Sequence, residues 1–109
     1  MDLDELKQIV SSGEDSGNQF KEDVHNADSL AAEMVAFSNF RGGRIFIGIT
    51  DQGILKGLTQ GDVHRINMMI SNTANQHIRS PITVLTENIP IGNQLVVILV
   101  TIPKGIDKP

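Results

Sequence analysis

The stretch NFRGGRIFIGITDQG places Arg41, Gly42, Gly43 and Arg44 in a row, two guanidiniums around two positions with no side chain. Paired glycines expose backbone N–H groups, and guanidiniums on either side make that setting suited to phosphate oxygens. The same residues have an ordinary structural use. A helix that ends near residue 40 needs a left-handed residue to satisfy its last carbonyls, and glycine takes that conformation without strain. Arg41 and Arg44 would then favour the negative end of the helix dipole. This use explains one glycine well and the second poorly, and the two uses are compatible.

Carboxylates are the second chemical resource. Glu14 and Asp15 precede NQFK, and Asp51 stands in the turn after IFIGI. Acids brought together from two loops could hold a hard divalent cation for phosphodiester cleavage, although Asp in a tight turn is also common turn chemistry. Other chemistries lack their residues. Without cysteine there is no disulfide framework, thiolate zinc site or cysteine nucleophile. His25, His64 and His77 lack the paired spacing of a zinc helix. No G-x-x-x-x-G-K-[ST], G-x-G-x-x-G or G-x-S-x-G motif occurs, so neither a bound nucleotide cofactor nor serine hydrolysis is expected. Trp and Tyr are absent, and most of Phe20, Phe37, Phe40 and Phe46 are expected in the core. A platform for successive stacked bases is therefore hard to build, and any nucleic-acid contact should be dominated by the backbone.

Charge is polarised along the chain. The net charge is −4, but residues 1–40 carry nine acids against two lysines, and residues 41–109 seven bases against four acids. Such a domain can offer one positive face to a polyanion without coating DNA nonspecifically. At 109 residues the chain is a single domain with one modest core. No run approaches a membrane span, no export signal opens the chain, and the lack of cysteine fits a cytoplasmic setting.

The elements that must position these residues are legible from periodicity. Leu3, Leu6, Ile9 and Val10 predict a short amphipathic helix before a Ser/Gly/Asn loop, and QFKEDV a brief strand. Leu30, Ala31, Met34, Val35 and Ser38 share one face of a helix capped by Asn26 or Asp28. RIFIGIT, the turn DQG and the returning ILKGL predict a hairpin. Val63, Ile66, Ile70, Ala74 and Ile78 predict a second main helix, starting near Thr59 or Gly61 and ending before Pro81. ITVLTENI, the turn PIGN and QLVVILVTI predict a second hairpin, whose last strand is apolar enough to be central and covered on both faces. The expected fold is α+β: a mixed β-sheet of two hairpins plus a short strand, packed with two main helices and a short N-terminal helix. The closing PKGIDKP reads as the start of a linker, so residues 1–109 are expected to be the N-terminal domain of a longer protein with further domains after Pro109.

EDSGNQFK, LAAEMVAFSNFRGGRIFIGITDQGILKGL, INMMISNTANQHIRSPI and VVILVTIPKGIDKP together resemble the Schlafen AlbA-like domain, the divergent AlbA family, from about residue 14 onward. The resemblance implies a nucleic-acid-binding domain, with DNA as the expected partner, in a prokaryotic transcriptional regulator. It also places Lys21 and Lys56 with Arg41 and Arg44 around the glycine corner. The Schlafen branch is a metal-dependent endoribonuclease with three carboxylates. Carried over, the first falls on Glu14, the third on Asp51 and the second on Gln19, which is neutral. A site for Mn²⁺ or Mg²⁺ would thus lack one negative charge, so the chain is read as a binder with no metal or other cofactor. The alternatives are the nuclease, with Glu14 and Asp51 as its catalytic and metal residues, and a noncatalytic assembly domain that forms a homo-oligomer.

Overall fold

The computed structural model describes residues 1–74 and 83–105. Seven elements follow in order: α1 (Leu3–Ser12), β1 (Asn18–Lys21), α2 (Ala27–Asn39), β2 (Gly43–Ile47), α3 (Gln60–Asn72), β3 (Leu85–Gly92) and β4 (Leu95–Ile102). The strands form one mixed sheet in the order β1-β2-β4-β3. β1 runs parallel to β2, and β4 is antiparallel to both β2 and β3. The α+β fold expected from the sequence is the one observed.

Each helix begins where a short polar side chain satisfies its free N–H groups. Asp2 accepts from Glu5 N, Asn26 from Asp28 N and Ser29 N, and Thr59 from Asp62 N. The helices then fall on opposite faces of the sheet. On one face, Ile45, Ile47, Ile98, Val100 and Ile102 pack against Leu30, Met34 and Phe37 of α2 and Ile66 and Ile70 of α3. On the other, Phe20, Phe46, Val97, Leu99 and Ile89 pack against Leu6 of α1. Side chains alternate along a strand, so a strand covered on both sides must be apolar on both, and β4 is, Thr101 excepted. Phe20 and Phe46, paired across β1 and β2, meet edge to face at 6.0 Å between ring centres.

Two hairpins were expected, and they differ in how regular they are. β3 and β4 form a full ladder, in which β3 runs on through Pro90 to Gly92 with an irregularity there. The turn is made by Asn93 and Gln94, both at positive φ (55° and 62°), as a two-residue hairpin turn requires. Pro90 is tolerated because β3 is an edge strand. The first hairpin is reduced to a single bridge, Ile49 to Leu55, beyond which Leu58 bridges to Val96 of β4. Gly48 (φ 111°) and Gly57 (φ 80°) turn the chain out of the ladder, so ILKGL returns as an irregular segment. Ile66, Ile70 and Ala74 are buried as the α3 pattern predicts; Ile78 and Pro81 lie outside the described residues.

The loop into α2 is tied to α3 through Arg65, whose Nη2 donates to Asp23 (2.8 Å) and whose Nη1 donates to the Val24 carbonyl (2.7 Å). Burial pushes the Asp23 carboxyl up, but the hydrogen bonds from Arg65 and Val24 N together outweigh it and hold the group below the usual carboxylate range. A carboxyl lowered in the folded state makes the unfolded chain the better proton acceptor. Its contribution to stability is therefore present above about pH 4, the unfolded value, and is lost as pH falls through the lower folded value. Urea midpoints should fall as pH drops below about 5, and Asp23→Asn should flatten that fall. An unchanged pH profile in the variant would show that the Asp23–Arg65 contact contributes nothing.

Candidate functional site

The glycine corner joins α2 to β2. At the helix end Phe40 N and Gly42 N both donate to the Phe37 carbonyl, at 3.1 and 2.7 Å. Gly42 is left-handed, φ 79°, the conformation that ends a helix. It is also closely approached: a Cβ there would lie 2.6 Å from the Ile102 carbonyl oxygen and 2.8 Å from Lys104 N. Gly43 has a different reason. It is the first residue of β2, and a Cβ there would lie 2.2 Å from the Phe37 ring. The second glycine, unexplained by helix capping, makes room for an aromatic side chain.

Both glycines are thus accounted for by packing. The N–H of Gly42 is engaged by Phe37 O and that of Arg44 by Gly17 O at 2.8 Å. What the corner presents outward is side-chain charge. Arg41 is exposed, with its guanidinium 5.0 Å from the centre of the Phe40 ring, and that ring is itself 56% exposed. Arg44 is held more firmly. Its Nε donates to Asn18 Oδ1 at 2.8 Å, and its Cζ sits 5.6 Å from the Phe46 ring centre. Planar anchoring of this kind leaves the terminal nitrogens of Arg44 to face a ligand in a fixed orientation.

Lys104 joins them from the far end of the sequence. Gly43 pairs with Ile102 in the sheet, so the chain leaving β4 crosses the corner, and Gly105 N donates to Ser38 O of α2 at 2.8 Å. Lys104 is exposed there. Sequence reading missed this residue, because only the β2–β4 register brings it beside Gly42.

The other two expected cations stand apart. Asn18 of β1 aligns with Arg44 and Lys21 with Ile47, so Lys21 is roughly 10 Å further along the strand pair and points to the opposite face. Its ammonium pairs with Glu33 of α2 at 2.6 Å, and the Lys56 ammonium pairs with Glu22, which raises the Lys56 pKa. Arg65 is paired with Asp23 and Asp62. Among the described residues Arg41, Arg44 and Lys104 belong to no ion pair. Asp15 lies close to Arg44; its carboxyl is held low first by the Gly17 N–H, with Asn18 and Arg44 adding to it.

The expected acids separate in the same way. Glu14 accepts the Phe20 N–H at 2.7 Å, covering the free edge of β1. Asp51 is exposed in the turn after β2. Gln19 lines a cavity on the α2 face beside Glu33, Phe37 and Phe40. Among the described residues no group of three or more His, Cys, Asp or Glu side chains is placed to hold a metal ion, and no helix is long and apolar enough to cross a membrane.

The family model described as Schlafen, AlbA_2 matches residues 14–109, nearly the whole chain. No curated protein matches it.

Proposed function

The chain belongs to the Schlafen, AlbA_2 family, and on that premise we propose that it is a nucleic-acid-binding domain that grips the phosphate backbone at the α2–β2 corner. Duplex DNA is the proposed partner and a transcriptional regulator the proposed setting. Arg41, Arg44 and Lys104 make the contacts, Gly42 and Gly43 hold the corner in shape, and Lys21 and Lys56 add to the field only after leaving Glu33 and Glu22. The observation that carries this reading is the gathering of three unpaired cations at one end of the sheet, while Lys21, Lys56 and Arg65 are all ion-paired. Guanidiniums anchored against aromatic rings are suited to phosphate oxygens because they lose little freedom on binding.

Amide NMR with a duplex titrated into labelled protein locates the surface. Shifts are expected at residues 40–44, 104 and 105, with the β3–β4 turn at Asn93 and Gln94 unmoved. Shifts centred on that turn, or on Lys56, would place the interface elsewhere.

A further inference from the structure

The cavity beside the corner is not used by phosphate contacts, and its chemistry is specific. It has a volume of about 210 Å³ and is lined by Ser16 and Gln19 from the β1 side and by Glu33, Phe37 and Phe40 from α2. That is smaller than the roughly 300 Å³ at which drug-sized sites begin, and suits one planar heterocycle. Glu33 Oε2 is bound to Lys21, but Oε1 is buried with no hydrogen-bond partner. Buried polar atoms in folded proteins are almost always satisfied, so an orphaned carboxylate oxygen calls for a donor. Glu33 lines the cavity, and because its terminal torsion is broad and soft rotation can bring that oxygen to a donor held there. At the mouth lies Phe40, exposed where the other three phenylalanines are buried, with the Arg41 guanidinium over its ring.

We propose that this cavity receives a single unpaired guanine base, with Glu33 accepting from its Watson–Crick edge, while Arg41 at the mouth holds the adjoining phosphate. The inference rests on the phosphate-binding reading and extends it to a substrate class: nucleic acid with an extrahelical or single-stranded G. Guanine carries two adjacent N–H donors, N1–H and the N2 amine, on the edge that a carboxylate can accept together. Adenine and cytosine set a ring-nitrogen acceptor beside their one amine, and thymine flanks its N3–H with two carbonyls, so each presents a lone pair to Glu33. The Gln19 amide and the Ser16 hydroxyl can donate to guanine O6 and N7. A base entering the mouth stacks on the Phe40 ring and the Arg41 guanidinium, both sequence-tolerant platforms that leave discrimination to the hydrogen bonds. One aromatic at the rim serves one base, in keeping with a chain that has no Trp or Tyr.

Fluorescence anisotropy on four DNAs tests this: a short duplex, the same duplex with one unpaired G, and controls with an unpaired A or T. The G-bulged DNA is expected to bind about tenfold tighter than the duplex, as an added bidentate contact and one stacked base warrant, with little gain for A or T. Glu33→Gln should abolish the G preference while duplex binding is kept or slightly strengthened, because Lys21 is released from its carboxylate. Phe40→Ala should weaken the G-bulged DNA toward the duplex value. Duplex binding with equal gains for G, A and T, or with none, overturns the base pocket and leaves the phosphate reading standing. No binding to any of the four removes the phosphate reading instead. In that case NMR titration with guanosine monophosphate and adenosine monophosphate decides the pocket alone: shifts at Gln19 and Phe40 with the guanine nucleotide only would keep it, and none, or equal shifts with both, would end it.

Discussion

Gly43→Val is expected to destabilise the protein by about 3 kcal/mol or more, the upper range for overpacking a filled core. The reason is the Phe37 ring, whose Cδ1 lies 2.2 Å from where the first added carbon would go. Phe37 belongs to the core between α2 and the sheet, so swinging its ring aside, even toward the cavity it also lines, gives up core contacts. Even Gly43→Ala meets that ring. Shortening the obstacle should relieve it: in the background of Phe37→Ala, Gly43→Ala should be much less harmful, so the double variant should be destabilised by clearly less than the sum of the two single variants. Gly42→Ala should also be severe, for a different reason, since the added carbon meets backbone at Ile102 and Lys104 and the left-handed conformation is strained for any side chain. Gly13 provides the contrast. Its φ is positive too (φ 82°, ψ 177°), but nothing lies within 4 Å of an added Cβ, so Gly13→Ala should cost only the backbone strain, about 1–3 kcal/mol. Equal effects at Gly13, Gly42 and Gly43 in urea denaturation would mean that close packing at the corner is not what the glycines provide.

Removing the corner's charges is expected to have the largest effect on binding. Arg41→Ala and Arg44→Ala should each weaken duplex binding roughly tenfold at low salt, the worth of a charge-assisted hydrogen bond to phosphate, without altering sequence preference. Lys104→Ala should weaken it in the same direction. Lys21→Ala and Lys56→Ala should do less, because each ammonium must first be drawn from a carboxylate on its own molecule. Arg44→Lys separates charge from geometry. Lysine keeps the charge but loses the planar contact to Asn18 and Phe46, so partial recovery places part of the Arg44 effect in orientation. A loss confined to one DNA sequence would contradict assignment of these residues to the backbone.

The helices were legible in the sequence because the apolar periods at Leu30–Met34 and Ile66–Ile70 and the caps Asn26 and Thr59 are local signals. The unbroken apolar run of β4 likewise announced a strand covered twice. The returning strand after Asp51 was read as more regular than it is, since positive φ at Gly48 and Gly57 is decided by packing against Leu58, Leu95 and Val96. At the corner, local reasoning could account for Gly42 and not for Gly43, because the ring that fills its space belongs to Phe37, six residues earlier on a helix face. Lys104 and Glu33 were invisible for the same reason. The first reaches the corner through the pairing of Gly43 with Ile102, and the second meets Gln19 only when α2 is laid on the sheet. Pairing of Lys21 and Lys56 with acids follows from tertiary contacts that charge counting cannot resolve.

The most direct measurement is the salt dependence of duplex affinity for the natural protein and for the Arg41→Ala/Arg44→Ala double variant. Each neutralised phosphate releases counterions and contributes roughly 0.9 to the slope of log K against log salt. The double variant is therefore expected to bind more weakly and to show a slope shallower by about two units. A natural protein whose binding is indifferent to salt, or a double variant with an unchanged slope, would contradict a phosphate-gripping corner.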